Sequence, residues 1–227
     1  MRGARRTGEQ LARAREHFGR RDRSHAAVIN RTVAQHARRA VFIDRDGTIS
    51  EEVGYVNHPS RYRVFPYAAE AIKLLNEAGW RAILITNQAG VARGYFTEDL
   101  IKLVHDILRQ ELERNGARLD AIYYCPHHPS VGAPPFKFAC DCRKPKPGLI
   151  ERAARDFDLD LAQSWMVGDR YGDVELARNA GVRSAFVLSG YGRGEWEYQR
   201  ATWQHEPDLI ADDLLAAVRK IIAQEAR

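Results

Sequence analysis

The sequence predicts an α/β domain, with one open parallel sheet and helices on both faces. Three observations carry this. From residue 40 onward, short apolar runs alternate with longer amphipathic stretches. Gly79, Gly116 and Gly181 fall where helix C-terminal caps belong. Each of several apolar runs also ends in polar residues, at the sheet edge where open α/β sheets bind ligands.

The elements follow in chain order. Residues 1–39 contain eleven Arg, no Lys and three acids (Glu9, Glu16, Asp22), a net +8. The whole chain carries +5, so residues 40–227 carry −3. Thr7-Gly-Glu-Gln10 resembles a capping box and Ser24 a second cap, but apolar positions are sparse. The segment reads as a basic, solvated extension, and Arg-rich arms of this kind also bind nucleic acid or anionic surfaces. Strands are expected at "AVFID" (40–44), "RAILIT" (81–86), "AIYYC" (121–125), "WMVGD" (165–169) and "SAFVL" (184–188). They are mostly apolar, as buried parallel strands are. Helices are expected at about 67–78, 97–115, 147–157, 171–180 and 208–225. The domain is therefore expected to span 40–227.

Composition narrows the class. Of 227 residues, 44% are hydrophobic and 29% charged, as in soluble globular chains. No apolar run approaches the ~20 residues of a spanning helix, and the N-terminus lacks the apolar stretch of a secretory signal. Few cysteines suit a reducing cytoplasm. All three, Cys125, Cys140 and Cys142, lie in one Pro-rich loop with His127 and His128. An odd number, with two separated by one residue, makes a poor disulfide framework. A metal site or chance clustering remains.

The strand-end residues converge on one rim. "FIDRDGTI" sets Asp44 and Asp46 on one side of an extended segment, and Gly47 lets the chain turn away. Thr86 and Asn87 end the second run; Asp169 and Asp173 follow the fourth; Arg143 and Lys144 follow the cysteine loop. Taken in chain order, with Lys144 third and Asp169 to Asp173 fourth, these residues resemble the four motifs of the haloacid-dehalogenase-like (HAD-like) phosphatase superfamily, over about residues 40–205. The resemblance implies a Rossmann-like sheet. It implies Asp44 as nucleophile, forming an aspartyl-phosphate, and Asp46 as general acid and then base. Thr86 and Lys144 would bind phosphoryl oxygens. Mg²⁺ would be held by Asp44, the Asp46 backbone carbonyl and Asp169. Asp173 would orient Lys144 or the metal from behind.

Cys125-Pro-His127, twelve residues, Cys140-Asp-Cys142 and Arg143-Lys144-Pro145 resemble a narrower group, the D-glycero-D-manno-heptose 1,7-bisphosphate 7-phosphatases. "GYV" (54–56), "TNQAGVARGYFTE" (86–98) and "IYYCPHHP" (122–129) look like this group too. The resemblance implies a structural Zn²⁺ on Cys125, His127, Cys140 and Cys142, with His128 as the rival to His127. The spacings between motifs leave no room for a cap domain. Substrate contacts are therefore expected from short loops: Glu52, Val53, Gly54 and Tyr55, then Asn87, Gln88, Ala89 and Arg93, then Arg143. Arg93 and Arg143 could take the second phosphate of a bisphosphate. The relatives usually have Lys after the fourth-motif Asp, where this chain has Arg170. The expected activity is hydrolysis of the C7 phosphate of a small sugar bisphosphate. Histidinol phosphatases share the motifs but resemble a shorter zinc loop. A nucleic-acid 3′-phosphatase using the arm is a further alternative, opposed by the acidic body and by Phe18 as the arm's one aromatic residue. No membrane partner and no obligate interface is suggested, so a monomer is expected.

Overall fold

The computed structural model describes residues 38–225. The capping signals expected at Thr7 and Ser24 lie outside the described residues. Six strands, β1 (Ala40–Ile43), β2 (Arg81–Asn87), β3 (Ala121–Cys125), β4 (Trp165–Gly168), β5 (Arg183–Val187) and β6 (Leu209–Ala211), form one sheet in the order β3-β2-β1-β4-β5-β6. Every neighbouring pair is parallel. The helices are α1 (Ala68–Glu77), α2 (Glu98–Arg114), α3 (Gly148–Phe157), α4 (Tyr171–Ala180), α5 (Gly192–Tyr198) and α6 (Leu214–Glu225).

The two-residue period of a strand divides β1 between two cores. Val41 and Ile43 pack with Ile72 and Leu75 of α1, Val104 and Leu108 of α2, and Val218 and Ile221 of α6. Ala40 and Phe42 face the other way, into a core with Ile150 and Ala153 of α3 and Leu176 and Ala177 of α4. Each buried Ile or Phe contributes ~1.5–3 kcal/mol, so β1 is held from both faces and its last residue becomes a rigid platform. The strand's entry is also pinned. Ser164 Oγ accepts from Ala40 N at 3.1 Å and donates to Asp160 O at 2.7 Å. Arg39 lies 4.5 Å over the Trp80 ring and pairs with Glu225 at 3.6 Å.

Two expectations change. The stretch at 208–225 is a strand followed by a helix, because Leu209–Ala211 pairs with β5 and Asp213 then caps α6 by accepting Ala216 N at 2.8 Å. The seven-residue α5 is additional; its glycines at 192 and 194 hid it in the sequence. Among the described residues, the segments between β1 and β2 and between β2 and β3 carry one α-helix each and no inserted domain. The strand order reverses between β1 and β4. A crevice opens at the carboxyl ends of these two strands, where doubly wound sheets bind their ligands.

Candidate active site

Asp44 continues the β1·β4 ladder by donating its N–H to Val167 O at 2.9 Å. The chain then turns so tightly that the N–H groups of Thr48, Ile49 and Ser50 all reach Arg45 O, at 3.3, 3.0 and 3.0 Å. Gly47 makes this possible with φ +85°, and a Cβ there would strike the Asp169 carboxylate. The buried Asp44 carboxylate accepts at Oδ1 from Arg45 N at 2.7 Å and from Lys144 Nζ at 2.8 Å. Lys144 also contacts Asp173 Oδ1 at 2.7 Å. Asp173 Oδ2 in turn accepts from Arg170 N at 3.3 Å, at the start of α4. Asp169 follows β4, and its Oδ2 accepts from Tyr191 N at 2.8 Å.

Oxygens of Asp44, Asp169 and Asp173 lie within 4.8 Å of one another, and all three residues are buried. Burial pushes Asp44 up to about 7, against the pull of Lys144. Burial, reinforced by the charge of Asp44, pushes Asp169 up to about 8. Burial also works against the Lys144 ammonium, but Asp173 and Asp44 hold its proton above the ordinary lysine range. One cation thus faces three acids in a dry corner, an excess of hard oxygen donors that a divalent ion balances.

Asp46 turns to a second set of partners. Its carboxylate accepts from Arg45 Nη2 at 2.8 Å and from Gln88 Nε2 at 3.1 Å. Arg45 is 2% exposed, and its Nη1 stands 3.5 Å from His105 Nε2. Burial, then the charge of Arg45, pushes His105 down to about 3, so the ring is neutral and its Nε2 accepts from the guanidinium. Gln88 also donates to Thr86 Oγ1 at 2.9 Å, which joins the second-strand threonine to Asp46. Asn87 makes a paired contact with the Lys144 backbone, donating to Lys144 O at 3.2 Å and accepting from Lys144 N at 3.0 Å. Neither amide is free to meet a ligand with its full hydrogen-bonding capacity.

Cys125 Sγ, His127, Cys140 Sγ and Cys142 Sγ converge with ligand atoms within 4.8 Å of one another. All three thiols are free. Cys142 lies 3.2 Å from each of Cys125 Sγ, Cys140 Sγ and His127 Nδ1. Hydrogen bonding from Cys125, ahead of the other neighbours, pulls the Cys142 thiol down to about 5. Three sulfurs and one imidazole form a closed set of soft donors, as a tetrahedral metal requires. His128 is turned elsewhere: its Nδ1 accepts from Val131 N at 3.0 Å and its Nε2 faces Arg93 at 3.2 Å. The cluster reaches the active site through Arg143, whose Nη1 donates to His127 O at 3.3 Å.

A cavity of about 450 Å³ opens above Asp44, lined by Asp46, Glu52, Gly54, Thr86, Asn87, Arg143, Lys144 and Arg170 among others. Five residues expected to meet the substrate stand outside this lining: Val53, Tyr55, Gln88, Ala89 and Arg93. Val53 packs against the core, and Tyr55 sets its ring edge-on to Tyr95 at 4.8 Å. Ala89 accepts Arg93 N at 3.1 Å in a local turn, and the Arg93 side chain is engaged with His128. Conversely Glu195, Gln199, Thr202 and Trp203 line the cavity, and the sequence reading did not find them. They belong to no motif. The one available signal was their position after the fifth strand, at the same carboxyl rim.

The HAD-hydrolase-like family model matches residues 141–217. The chain is 43% identical over 193 residues to the D-glycero-D-manno-heptose-1,7-bisphosphate 7-phosphatase of Thermosynechococcus vestitus, covering 81% of this chain and 95% of the relative. It is 41% identical over 182 residues to the D-glycero-beta-D-manno-heptose-1,7-bisphosphate 7-phosphatase of Haemophilus ducreyi, covering 80% of this chain and 97% of that one. Among solved structures it is similar to the D,D-heptose 1,7-bisphosphate phosphatase of B. bronchiseptica complexed with magnesium and phosphate. That match has a TM-score of 0.73 and 33% identity, and covers 82% of this chain and 99% of the other.

Proposed function

The chain belongs to the D-glycero-D-manno-heptose 1,7-bisphosphate 7-phosphatases, and on that footing we propose that it hydrolyses the C7 phosphate of D-glycero-D-manno-heptose 1,7-bisphosphate, leaving heptose 1-phosphate. One observation supports this above the rest. A single cavity carries Asp44 and Lys144 together with two further cations, Arg143 and Arg170. That distribution of charge suits a sugar with a phosphate at each end.

Asp44 is the nucleophile. Its Oδ1 is fixed by Arg45 N and Lys144 Nζ, so the carboxylate presents one orientation to phosphorus, and displacement of O7 gives an aspartyl-phosphate. Asp46 protonates the departing O7 and then takes a proton from the water that opens the acyl phosphate. The Thr86 hydroxyl and the Lys144 ammonium hold the phosphoryl oxygens. Asp173 aims Lys144 from behind, and Asn87 fixes its backbone. The carboxylate corner fits Mg²⁺, which Asp44, Asp169 and the Asp46 backbone carbonyl would hold; when bound, the ion would supply the positive charge that lets phosphate approach a carboxylate. The sulfur cluster fits Zn²⁺ on Cys125, His127, Cys140 and Cys142. Protein would fill all four positions, so the role is structural: it shapes the loop that delivers Arg143 and Lys144.

No helix among the described residues is long and apolar enough to cross a membrane. Reduced thiols in a metal-ready cluster suit the cytoplasm, where we place the enzyme. We expect a monomer, because the sequence suggests no obligate interface. Phosphate release tests the assignment, with Mg²⁺ and two substrates run in parallel: the heptose bisphosphate and histidinol phosphate. The bisphosphate is expected to lead in kcat/KM by about 100-fold. Faster turnover of histidinol phosphate would overturn the substrate assignment.

A further inference from the structure

One wall of the cavity is built by the segment after β5, through Glu195, Gln199, Thr202 and Trp203. Trp203 stacks on Tyr171 with ring centroids 4.8 Å apart, and it meets Phe186 of β5 at 5.0 Å and Trp196 of α5 at 5.8 Å. These aromatic contacts fix α5 to the sheet and set Glu195 in the wall, where it is 7% exposed. Two donors converge on this one carboxylate. Arg170 Nε donates to Oε1, and Tyr171 N donates to Oε2 at 2.7 Å. The Arg170 guanidinium also lies over the Tyr191 ring, 4.4 Å from its centroid.

Arg170 is therefore held along one edge and one face. Its two terminal nitrogens make no hydrogen bond to the described residues, and the side chain borders the cavity that Asp44 and Lys144 also line. We propose that Glu195 is a positioning residue for substrate recognition: it takes Arg170 Nε and so directs the terminal nitrogens at the phosphate that is not being hydrolysed. This rests on the reading of the cavity as a sugar-bisphosphate site. It also gives a reason for arginine at position 170, where the family resemblance implies lysine. A lysine beside Glu195 would place its only charged nitrogen in the ion pair. An arginine satisfies Glu195 through Nε and still offers a two-pronged donor to a phosphate.

The test uses the full-length enzyme with its metals and two substrates, the heptose 1,7-bisphosphate and p-nitrophenyl phosphate, which has no second phosphate. In E195Q only one of the two converging donors keeps an acceptor, because the amide nitrogen now faces the other. Its KM for the bisphosphate should rise about tenfold while kcat changes far less, a loss of ~1.4 kcal/mol in binding. Its kcat/KM for p-nitrophenyl phosphate should fall by less than about threefold. In an R170A background the same substitution should add nothing, since Glu195 acts through Arg170. R170K should bind the bisphosphate poorly, and R170K/E195Q should recover part of that loss by freeing the ammonium. Glu195→Asp, one methylene shorter, carries the same comparison if E195Q does not fold.

Equal losses on both substrates, or an undiminished E195Q effect in the R170A background, would overturn the positioning role. If instead R170A left the KM for the bisphosphate unchanged, the reading of the cavity itself would fall.

Discussion

Asp44→Asn separates the chemistry of the site from its electrostatic strain. The substitution removes the proposed nucleophile, so turnover should vanish. It should also stabilise the Mg²⁺-free protein at pH 8. The Asp44 carboxyl moves from 3.8 to about 7 on folding, chiefly through burial. That is ~3 units at 1.36 kcal/mol each, so an ionised Asp44 costs the fold about 4 kcal/mol. Asp169 titrates with it and takes up part of that cost, which leaves about 2 kcal/mol to be recovered. Lys144 keeps Asp173 as a partner at 2.7 Å and is not orphaned. For a domain of this size, the gain is a Tm increase of ~4–8 °C. The sign with pH is fixed. A carboxyl raised on folding favours the native state below its unfolded value, and that advantage is lost as pH rises through the folded one. The benefit of Asn should therefore be complete above pH 7, and at pH 5 it should shrink to roughly a third. Calorimetry of zinc-loaded, Mg²⁺-free wild type and D44N at both pH values measures this, and added Mg²⁺ should stabilise wild type far more than the variant. Equal or lower stability of D44N at pH 8, or a difference that ignores pH, would refute the account of the carboxylate corner.

Other consequences are equally concrete. Lys144→Met leaves three buried acids with no cation of their own; kcat should fall at least ~100-fold and metal-free stability by ~3–5 kcal/mol, read by phosphate release and thermal melts. Cys140→Ser should reduce bound zinc below one per chain by elemental analysis and expose residues 126–139 to proteolysis, with activity lost through displaced Arg143 and Lys144. Arg45→Met removes the guanidinium that holds Asp46; kcat on the heptose substrate should fall ~100-fold, whereas the pre-steady-state burst of p-nitrophenolate, whose departure needs no proton, should slow far less than the water-dependent step that follows it. Ser164→Ala leaves Ala40 N without its acceptor and should cost ~1–3 kcal/mol in denaturant melts while KM is kept.

Much of this architecture could be read from the chain because buried parallel strands are nearly continuous apolar runs, and five of the six announced themselves. β6 did not, since Leu-Ile-Ala is too short to distinguish from the first turn of the helix that Asp213 caps. The candidate reacting groups were legible for a related reason: a strand that runs into Asp44, Thr86 or Asp169 must present that residue at the rim. Side-chain direction was not legible. Asn87 and Gln88 stand at the expected strand end, but they hold the Lys144 backbone and Asp46. Arg45 read as a spacer between two aspartates, yet its buried guanidinium fixes one of them against a neutral His105. Tyr55 and Arg93 were expected at the substrate and found other partners, Tyr95 and His128, which no local pattern could specify. Glu195 and Trp203 reach the cavity only because aromatic contacts with Phe186 and Tyr171 fold α5 back over it. That placement depends on packing between residues 15 to 35 positions apart.

Phosphorus NMR of the product formed from D-glycero-D-manno-heptose 1,7-bisphosphate, with each anomer supplied separately, reads the regiochemistry directly. With Mg²⁺ present, the C7 resonance should disappear into inorganic phosphate while the anomeric C1 phosphate signal persists. Loss of the C1 signal, or no release from either anomer by a protein carrying both metals, would contradict the assignment.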